Sequence, residues 1–137
     1  MTFERKIQDK TSELSLLILE DMDDIRNKLI SDLKTLGFYG EIIPCASLEE
    51  ALSKIEKKDL HIDFFISDWN LPDGTGFDFL KKTKEKTRYV RTPFLMCTTR
   101  DDVSNILDAI AEGASDYLVK PWELNDLTSI MEMFLKD

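Results

Sequence analysis

The stretch that decides the fold is FFISDWNLPDG, residues 64–74. It opens with the apolar residues FFI and runs directly into Ser67 and Asp68. A short apolar run that meets a turn rich in Pro, Asp and Gly is typical of a buried strand leading into a loop. We therefore predict a strand over 63–67, with the carboxylate of Asp68 at its C-terminal end.

Similar apolar runs recur along the chain and alternate with helical patterns. The run LSLLIL (14–19) is too short for a helix and fits a buried strand, and further strands are predicted at 42–45, 94–97 and 116–119. The segments between them place apolar residues at helical spacing. The first predicted helix carries Ile25, Leu29, Leu33 and Leu36 and ends at Gly37, and the second carries Leu48, Leu52 and Ile55, with Ser47 as N-cap and Glu50 at the capping-box position. The third has Phe77 and Leu80 facing the core, and the fourth carries Val103, Ile106, Leu107 and Ile110, begins at Asp101 or Asp102 and ends at Gly113. The fifth carries Leu124, Leu127, Met131 and Phe134.

Five β/α units of this kind predict the α/β class: a doubly wound (βα)5 domain with a five-stranded parallel sheet and helices on both faces. Pro44 lies in strand 2 and has no N–H to donate, so that strand should be at an edge. This favours the strand order 2-1-3-4-5, in which ligands bind between strands 1 and 3 at their carboxyl ends. We assign residues 14–137 to this domain. Residues 1–13 form a polar N-terminal extension, read as a frayed tail or a docking helix.

Composition excludes several function classes. The chain has 137 residues, 42% hydrophobic and 33% charged, with a net charge of −9, which fits one globular domain. Such an acidic surface repels a phosphate backbone, so no nucleic-acid partner is expected. No apolar stretch approaches a membrane span and residues 1–13 contain no secretory signal. Two cysteines do not make a disulfide framework, so we expect reduced thiols and a cytoplasmic protein.

Polar groups follow four of the predicted strands at the edge where ligands bind. The acidic pair Glu20 and Asp21 ends strand 1, Asp68 ends strand 3, Thr98 ends strand 4 and Lys120 ends strand 5. Because the carboxyl ends of parallel strands share one edge of the sheet, we expect these side chains to converge. The fold and the residues therefore select the same crevice.

The chemistry of these groups points to phosphoryl transfer onto an aspartate. Three carboxylates in one crevice repel each other, and a hard divalent cation such as Mg²⁺ relieves this repulsion. We expect Asp21 and Asp68 as direct ligands, the backbone carbonyl of Asn70 as a third, and Glu20 acting through water. Asp68 is then the nucleophile toward a phosphoryl group. The ammonium of Lys120 and the hydroxyl of Thr98 would stabilise charge on the phosphoryl oxygens.

At this point the chain resembles a known family, the receiver domains of two-component response regulators, over residues 15–135. It looks most similar to stand-alone, chemotaxis-type regulators with the flavodoxin-like receiver fold. Four stretches in order carry the resemblance: LLILED (16–21), SDWNLP (67–72) with Gly76, PFLMCT (93–98) and GASDYLVKP (113–121). Each alone would be weak, but together on a β/α pattern they are specific.

The resemblance implies roles for individual residues. Asp68 would be the phosphoacceptor, Glu20 and Asp21 would bind Mg²⁺, and Thr98 and Lys120 would contact the phosphoryl group. Tyr117 matches the family's aromatic switch residue, and the Lys120–Pro121 bond would be cis. A histidine kinase would be the phosphodonor, and the surface of helix 4, strand 5 and helix 5 would control a downstream protein. The chain would be a phosphoacceptor rather than an enzyme, with self-catalysed phosphotransfer and slow autodephosphorylation, acting as a monomer or a phosphorylation-dependent dimer.

Several alternatives stay open at this stage. A phosphorelay shuttle, a phosphate sink, a receiver cut from a larger regulator and a degenerate receiver that only binds proteins would share most of these residues. A flavin-binding electron carrier would need a Ser/Thr-rich loop after strand 1, where the chain has acids. A phosphatase with an aspartyl-phosphate intermediate would need a second acid two residues after Asp68, where Asn70 stands. His61 is interpreted as a solvated loop residue, not a phosphocarrier.

Overall fold

The computed structural model describes residues 13–99 and 103–135. In these ranges five strands alternate with five helices, and a small antiparallel hairpin pairs Asn70–Leu71 with Gly74–Thr75. The strands are β1 (Ser15–Leu19), β2 (Glu41–Cys45), β3 (Phe64–Asp68), β4 (Phe94–Thr99) and β5 (Asp116–Lys120); the helices are α1 (Asp23–Leu36), α2 (Leu48–Ile55), α3 (Gly76–Lys84), α4 (Val103–Ala111) and α5 (Leu124–Phe134). Most of the predicted N-terminal extension, residues 1–12, lies outside the described residues, as do Asp101 and Asp102.

The sheet has the predicted topology. Its order is β2-β1-β3-β4-β5 with every pairing parallel. Pro44 lies opposite Ile18 in the edge strand β2, where a residue without an N–H leaves no second neighbour unsatisfied. The predicted fold class and strand order are therefore confirmed.

The core explains why the central strands read as continuous apolar runs. Successive side chains of a strand point to opposite faces of the sheet. Leu16 and Ile18 pack on one face with α1 and α5, whereas Leu17 and Leu19 pack on the other with α2 and α3. Both faces are covered, so every position of β1 and β3 benefits from an apolar residue.

The ends of α1 and α2 agree with the sequence prediction, except for one hydrogen bond at the start of α2. Gly37 ends α1 with φ 110°, a left-handed conformation that favours glycine, and its N–H donates to carbonyls in the last turn. At the start of α2, Ser47 Oγ accepts from the N–H of Glu50 (3.2 Å), as a capping box requires. The carboxylate of Glu50 accepts instead from the N–H of Ala46 (3.2 Å), one residue before the N-cap. The predicted cap is present, but its return bond is shifted.

Two helices bury different residues from those predicted. In α3, Leu80 is buried as expected, but Phe79 is fully buried and Phe77 is only half-buried, because Phe77 stacks on Trp69. In α4, Leu107 and Ile110 are exposed (68% and 45%), which corrects the prediction that they face the core. Ile106 and Ala109 of α4 are buried against the sheet.

The hairpin also anchors α2. Asp73 at its tip accepts hydrogen bonds from the backbone N–H groups of Leu48 (2.8 Å) and Glu49 (2.9 Å). These are among the first N–H groups of α2, which have no partner within the helix. Hydrogen bonds from Glu49 and Leu48 lower the pKa of the Asp73 carboxyl. The loop after β3 is therefore tied to a neighbouring helix.

Asp73→Ala is expected to destabilise the fold in a pH-dependent way. A carboxyl whose pKa is lowered on folding stabilises the protein above its unfolded pKa, and this contribution is lost as pH falls through the folded pKa. The difference in urea midpoint between wild type and variant should therefore be full at pH 7 and shrink in acid, below about pH 4. Asp59→Ala removes the same charge from an exposed turn and serves as the control. A difference in urea midpoint that stays constant down to about pH 2.5, well below the usual pKa of an aspartate, would contradict the charged cap.

The two cysteines are not placed for disulfide or metal chemistry. Cys45 and Cys97 are buried free thiols, and burial raises the pKa of each to about 12. They are therefore inert packing residues at neutral pH.

Within the ranges that the structure describes, no helix combines the length and the apolar character needed to cross a membrane.

Candidate functional site

Three carboxylates meet at the carboxyl edge of β1 and β3. The two strands pair in register up to Leu19 and Ser67, so Glu20 and Asp68 are the next residues on each strand. Glu20 and Asp68 are buried, with 3% and 9% of their surfaces exposed, whereas Asp21 is exposed. Ligand oxygens of Glu20, Asp21 and Asp68 all lie within 4.8 Å of one another. The convergence expected from the topology is present for these three groups.

Lys120 completes this cluster from the far side of the sheet. It ends β5, in register with Thr99 of β4. Its Nζ donates to Glu20 Oε1 (2.6 Å), one hundred residues away in sequence, and lies 3.0 Å from Asp68 Oδ1. The Lys120–Pro121 peptide bond is cis, as the resemblance implied. One ammonium therefore bridges two of the three carboxylates.

The electrostatics show that this bridge does not fully compensate the negative charge. Burial raises the pKa of the Glu20 carboxyl and the charge of Asp68 adds to this, against the hydrogen bond from Lys120. Burial also disfavours the Lys120 ammonium, but the hydrogen bonds and charges of Glu20 and Asp68 outweigh it and raise its pKa. Lys120 therefore stays charged at neutral pH, while the carboxylates still favour further positive charge.

The donor set fits a hard divalent cation. Mg²⁺ takes oxygen ligands, keeps several waters and is commonly held by one or two carboxylates. The cluster of Glu20, Asp21 and Asp68 offers carboxylate oxygens only, and Asp21 is open to solvent. Asn70, whose carbonyl was the expected third ligand, lies on the exposed hairpin opposite Thr75. The residues present fit magnesium.

Thr98 lies deeper than the charged groups. It is 1% exposed and follows Cys97, the residue that pairs with Asp68 across β3 and β4. Its hydroxyl donates to the carbonyl of Thr99 (3.4 Å). The structure thus brings Thr98 to the same end of the sheet, with its hydroxyl directed along its own strand.

Tyr117 is placed away from the carboxylates and points outward. It is 42% exposed on β5, beside a cavity of about 510 Å³ between β5 and α5. In register, Met96 pairs with Tyr117 and Thr98 with Val119. Because side chains two apart share a face, Tyr117 and Thr98 lie on the same face of the sheet.

Several contacts of the site were not predicted from sequence. Arg26 of α1 donates from Nη1 to the backbone carbonyl of Glu20 (2.8 Å), and Ser67 Oγ donates to the carbonyl of Asp68 (2.9 Å). Gly76 packs directly on the backbone of Asp68. An arginine on an amphipathic helix reads as a surface residue, so the sequence carries no signal for the first contact. His61 pairs with Asp63 (2.9 Å) before β3 and is mostly exposed, as expected of a loop residue.

The site and the fold define the chain as a doubly wound α/β domain in which an acidic cluster and a lysine meet at the carboxyl ends of the strands, where folds of this class bind ligands. Consistent with this, residues 16–132 match the family described as the response regulator receiver domain, and the chain belongs to that family. Within that family it is similar to receivers of the CheY type. The resemblance predicted from the sequence is thereby confirmed.

Three relatives show how far the similarity extends. The chain is 29% identical over 124 residues to the chemotaxis protein CheY1 of Helicobacter pylori, a match that covers 89% of this chain and 97% of that protein. The structure of the chemotaxis response regulator CheY4 of Vibrio cholerae superposes with a TM-score of 0.77 at 31% identity, covering 88% of this chain and 98% of that one. The crystal structure of a putative response regulator from Chloroflexus aurantiacus superposes with a TM-score of 0.80 at 32% identity. That match covers 91% of this chain and 99% of the other.

Proposed function

We propose that this protein accepts a phosphoryl group on Asp68 from a histidine kinase, in a Mg²⁺-dependent reaction, and thereby controls a partner protein. The observation that supports this most directly is the bridge from Lys120 Nζ to Glu20 (2.6 Å) and Asp68 (3.0 Å) within the carboxylate cluster. Because desolvation offsets much of the attraction within a buried ion pair, stability alone is a weak reason for this arrangement, which favours a role in the chemistry of the site. Phosphoryl transfer uses every group present.

In the proposed reaction a carboxylate oxygen of Asp68 forms a bond to phosphorus. The bond between phosphorus and the donor breaks, and its electron pair leaves with the donor group. The ammonium of Lys120 and the hydroxyl of Thr98 donate to the phosphoryl oxygens, where charge develops. Asp21 and Asp68 would hold Mg²⁺ directly, with the Asn70 carbonyl as a third ligand and Glu20 acting through water; the cation would supply positive charge to the phosphoryl oxygens.

The test is the intact mass after incubation with Mg²⁺ and a small acyl-phosphate donor. We expect one phosphoryl group on the wild type. Asp68→Asn should carry none, because the amide is not a nucleophile toward phosphorus, and chelation of Mg²⁺ should also prevent the adduct. Circular dichroism of the variant verifies that it is folded.

Two other outcomes separate the alternatives. Continuous Mg²⁺-dependent release of inorganic phosphate without an adduct would identify a short-lived acyl phosphate. Neither adduct nor release, with a control receiver active in the same assay, would contradict the proposed chemistry and favour a degenerate receiver that only binds proteins. An adduct that passes on to a second histidine-containing protein would identify a phosphorelay shuttle rather than a regulator, and transfer with no change in partner binding would identify a phosphate sink.

The same proposal extends to the output surface. Phosphorylation adds charge and acceptor oxygens at Asp68. Thr98 would move toward them, and Tyr117 would turn inward, because the two side chains share one face of the sheet. The α4–β5–α5 surface, which exposes Leu107, Ile110 and Tyr117, would then change its shape for a downstream protein. We place the protein in the cytoplasm, as a monomer or a phosphorylation-dependent dimer, with slow autodephosphorylation.

Tyr117→Ala is expected to uncouple this surface from phosphorylation. The variant should still take up the phosphoryl group at about the wild-type rate, because Tyr117 does not contact the carboxylates. Amide hydrogen exchange in α4 and β5 should change on phosphorylation of the wild type and stay unchanged in the variant. Equal changes in both proteins would remove Tyr117 from the switch.

A further inference from the structure

Trp122 joins the loop after Lys120 to helix α1. Its indole N–H donates to Asp32 Oδ2 at 2.8 Å, across ninety residues of sequence. The ring is 5% exposed and belongs to the core on the α1 side of the sheet. A buried indole N–H requires a partner, and here that partner is a carboxylate on a different element.

Lys28 reinforces this contact from the preceding turn of α1. Its Nζ lies 2.7 Å from Asp32 Oδ2 and 4.3 Å from the centroid of the Trp122 ring. It also donates to the backbone carbonyl of Trp122 at 3.5 Å. Trp122 is therefore held through its indole N–H, its ring face and its backbone carbonyl.

This contact lies where the sheet itself provides the least support. Strand β5 is an edge strand, and within the described part of the chain it pairs only with β4. Lys120 is its last residue, and its ammonium must reach across β4 to the carboxylates that follow β1 and β3. Trp122, two residues later, ties the chain to α1 on one face of the sheet, a support that does not depend on a second strand neighbour.

Helix α1 also holds the backbone of Glu20, the residue whose carboxylate Lys120 contacts. Arg26 Nη1 donates to the backbone carbonyl of Glu20 at 2.8 Å. Arg26 and Asp32 are six residues apart on one helix, a separation of about 9 Å along its axis. One helix thus contacts both the backbone of Glu20 and the loop that follows Lys120.

We propose that Asp32 and Trp122 are positioning residues, which hold the Lys120 ammonium against Glu20 and Asp68 by tying the β5–α5 loop to α1. The role in phosphoryl transfer rests on the proposed function, because it acts through Lys120. Neither residue touches the carboxylates. Loss of the tie lets the ammonium leave the position in which it meets the phosphoryl oxygens.

Three substitutions test the tie by the rate of phosphorylation at saturating acyl phosphate. Asp32→Leu and Trp122→Phe each remove one partner of the hydrogen bond, and each should slow the reaction by roughly tenfold, since displacements below 1 Å already cost catalysis. Asp32→Asn keeps an oxygen that accepts from the indole, and should stay within about threefold of wild type. Tyr89→Phe removes a comparable hydrogen bond, to the Leu60 carbonyl (3.1 Å), and should leave the rate unchanged.

The decisive comparison repeats these variants in the Lys120→Met background. A positioning role through Lys120 predicts that Asp32→Leu causes no further loss of rate there. An equal loss in both backgrounds, or a rate within twofold of wild type for Asp32→Leu alone, would overturn the inference while leaving the proposed function intact.

A second readout does not depend on phosphorylation. In protein labelled with ¹⁵N-lysine, the Nζ resonance of Lys120 is identified by its loss in Lys120→Met. It should move toward the position of exposed lysines in Asp32→Leu and remain in place in Asp32→Asn and Tyr89→Phe. An unmoved resonance in Asp32→Leu would overturn the inference even if the wild type takes up no phosphoryl group.

Discussion

Replacing Lys120 by methionine is expected to slow phosphorylation of Asp68 by about 10²–10³-fold, the usual effect of removing one preorganised donor from a developing anion. Methionine keeps the length and apolar stem of the side chain and removes only the charge and the donor. The ammonium lies 3.0 Å from Asp68 Oδ1 before any phosphoryl group arrives. Its loss therefore removes stabilisation next to the reacting atoms, and the rate of phosphorylation is measured by intact mass against time.

The same substitution should strengthen Mg²⁺ binding. Lys120 Nζ occupies the carboxylates that the cation needs, at 2.6 Å from Glu20 and 3.0 Å from Asp68. Two unit charges 4 Å apart interact by about 4 kcal/mol at an effective dielectric constant of 20. Removing this repulsion should tighten Mg²⁺ binding by roughly tenfold or more. A titration that follows Trp69 fluorescence, next to Asp68, measures the affinity.

Lys120→Met should also lower the stability of the fold when Mg²⁺ is absent. Without Mg²⁺, Lys120→Met leaves Glu20 buried and without its cation, which costs about 3 kcal/mol of unfolding free energy. Added Mg²⁺ should restore more stability to the variant than to the wild type. Lys82→Met removes an equal charge from the surface of α3, where Lys82 pairs with Glu85 at 3.7 Å, and should leave rate and affinity unchanged. Weaker Mg²⁺ binding in Lys120→Met would contradict the competition between ammonium and cation.

The site was predictable because topology brings distant residues together at one edge. Glu20 and Lys120 are a hundred residues apart, yet each follows a strand, and parallel strands end at the same edge. The apolar runs fixed the strands, and Pro44 fixed which strand was at the rim. Local pattern and global fold agree here, as they do in sequences that specify one structure.

The contacts that helices make with other elements could not be predicted from the sequence as well as the strands could. Leu107 and Ile110 satisfy a helical spacing, but the buried stripe of α4 runs through Ile106 and Ala109 instead, and a small alanine gives little hydrophobic signal. Asp73 reads as a turn residue, because nothing local shows that its carboxylate meets α2 twenty-five residues earlier. These contacts depend on how helices pack, which periodicity within one helix does not determine.

Gly76→Ala is expected to be the most damaging single-methyl change near the site. A Cβ at Gly76 would overlap the carbonyl oxygen of Asp68 and lie 2.9 Å from Ser67 Oγ and 3.0 Å from the Asp68 carbonyl carbon. Gly76 is also tied to the turn by its N–H, which donates to the Trp69 carbonyl at 2.7 Å. The atoms in the way belong mainly to backbone in the central strand, which cannot rotate aside. We expect a loss of about 3 kcal/mol or more of unfolding free energy.

The methyl group should also displace the phosphoacceptor. A shift of Asp68 by about 1 Å is enough to slow phosphoryl transfer by roughly 10²-fold. Gly74→Ala, on the hairpin just before α3, is the matched control, because its Cβ would meet Leu48 Cδ2 at 2.5 Å and Asp78 Oδ2 at 3.3 Å, both ends of side chains that can move. That variant should lose only about 1 kcal/mol and keep most of its rate. Equal losses in the two variants would show that the hairpin, rather than the backbone of Asp68, absorbs the added methyl group.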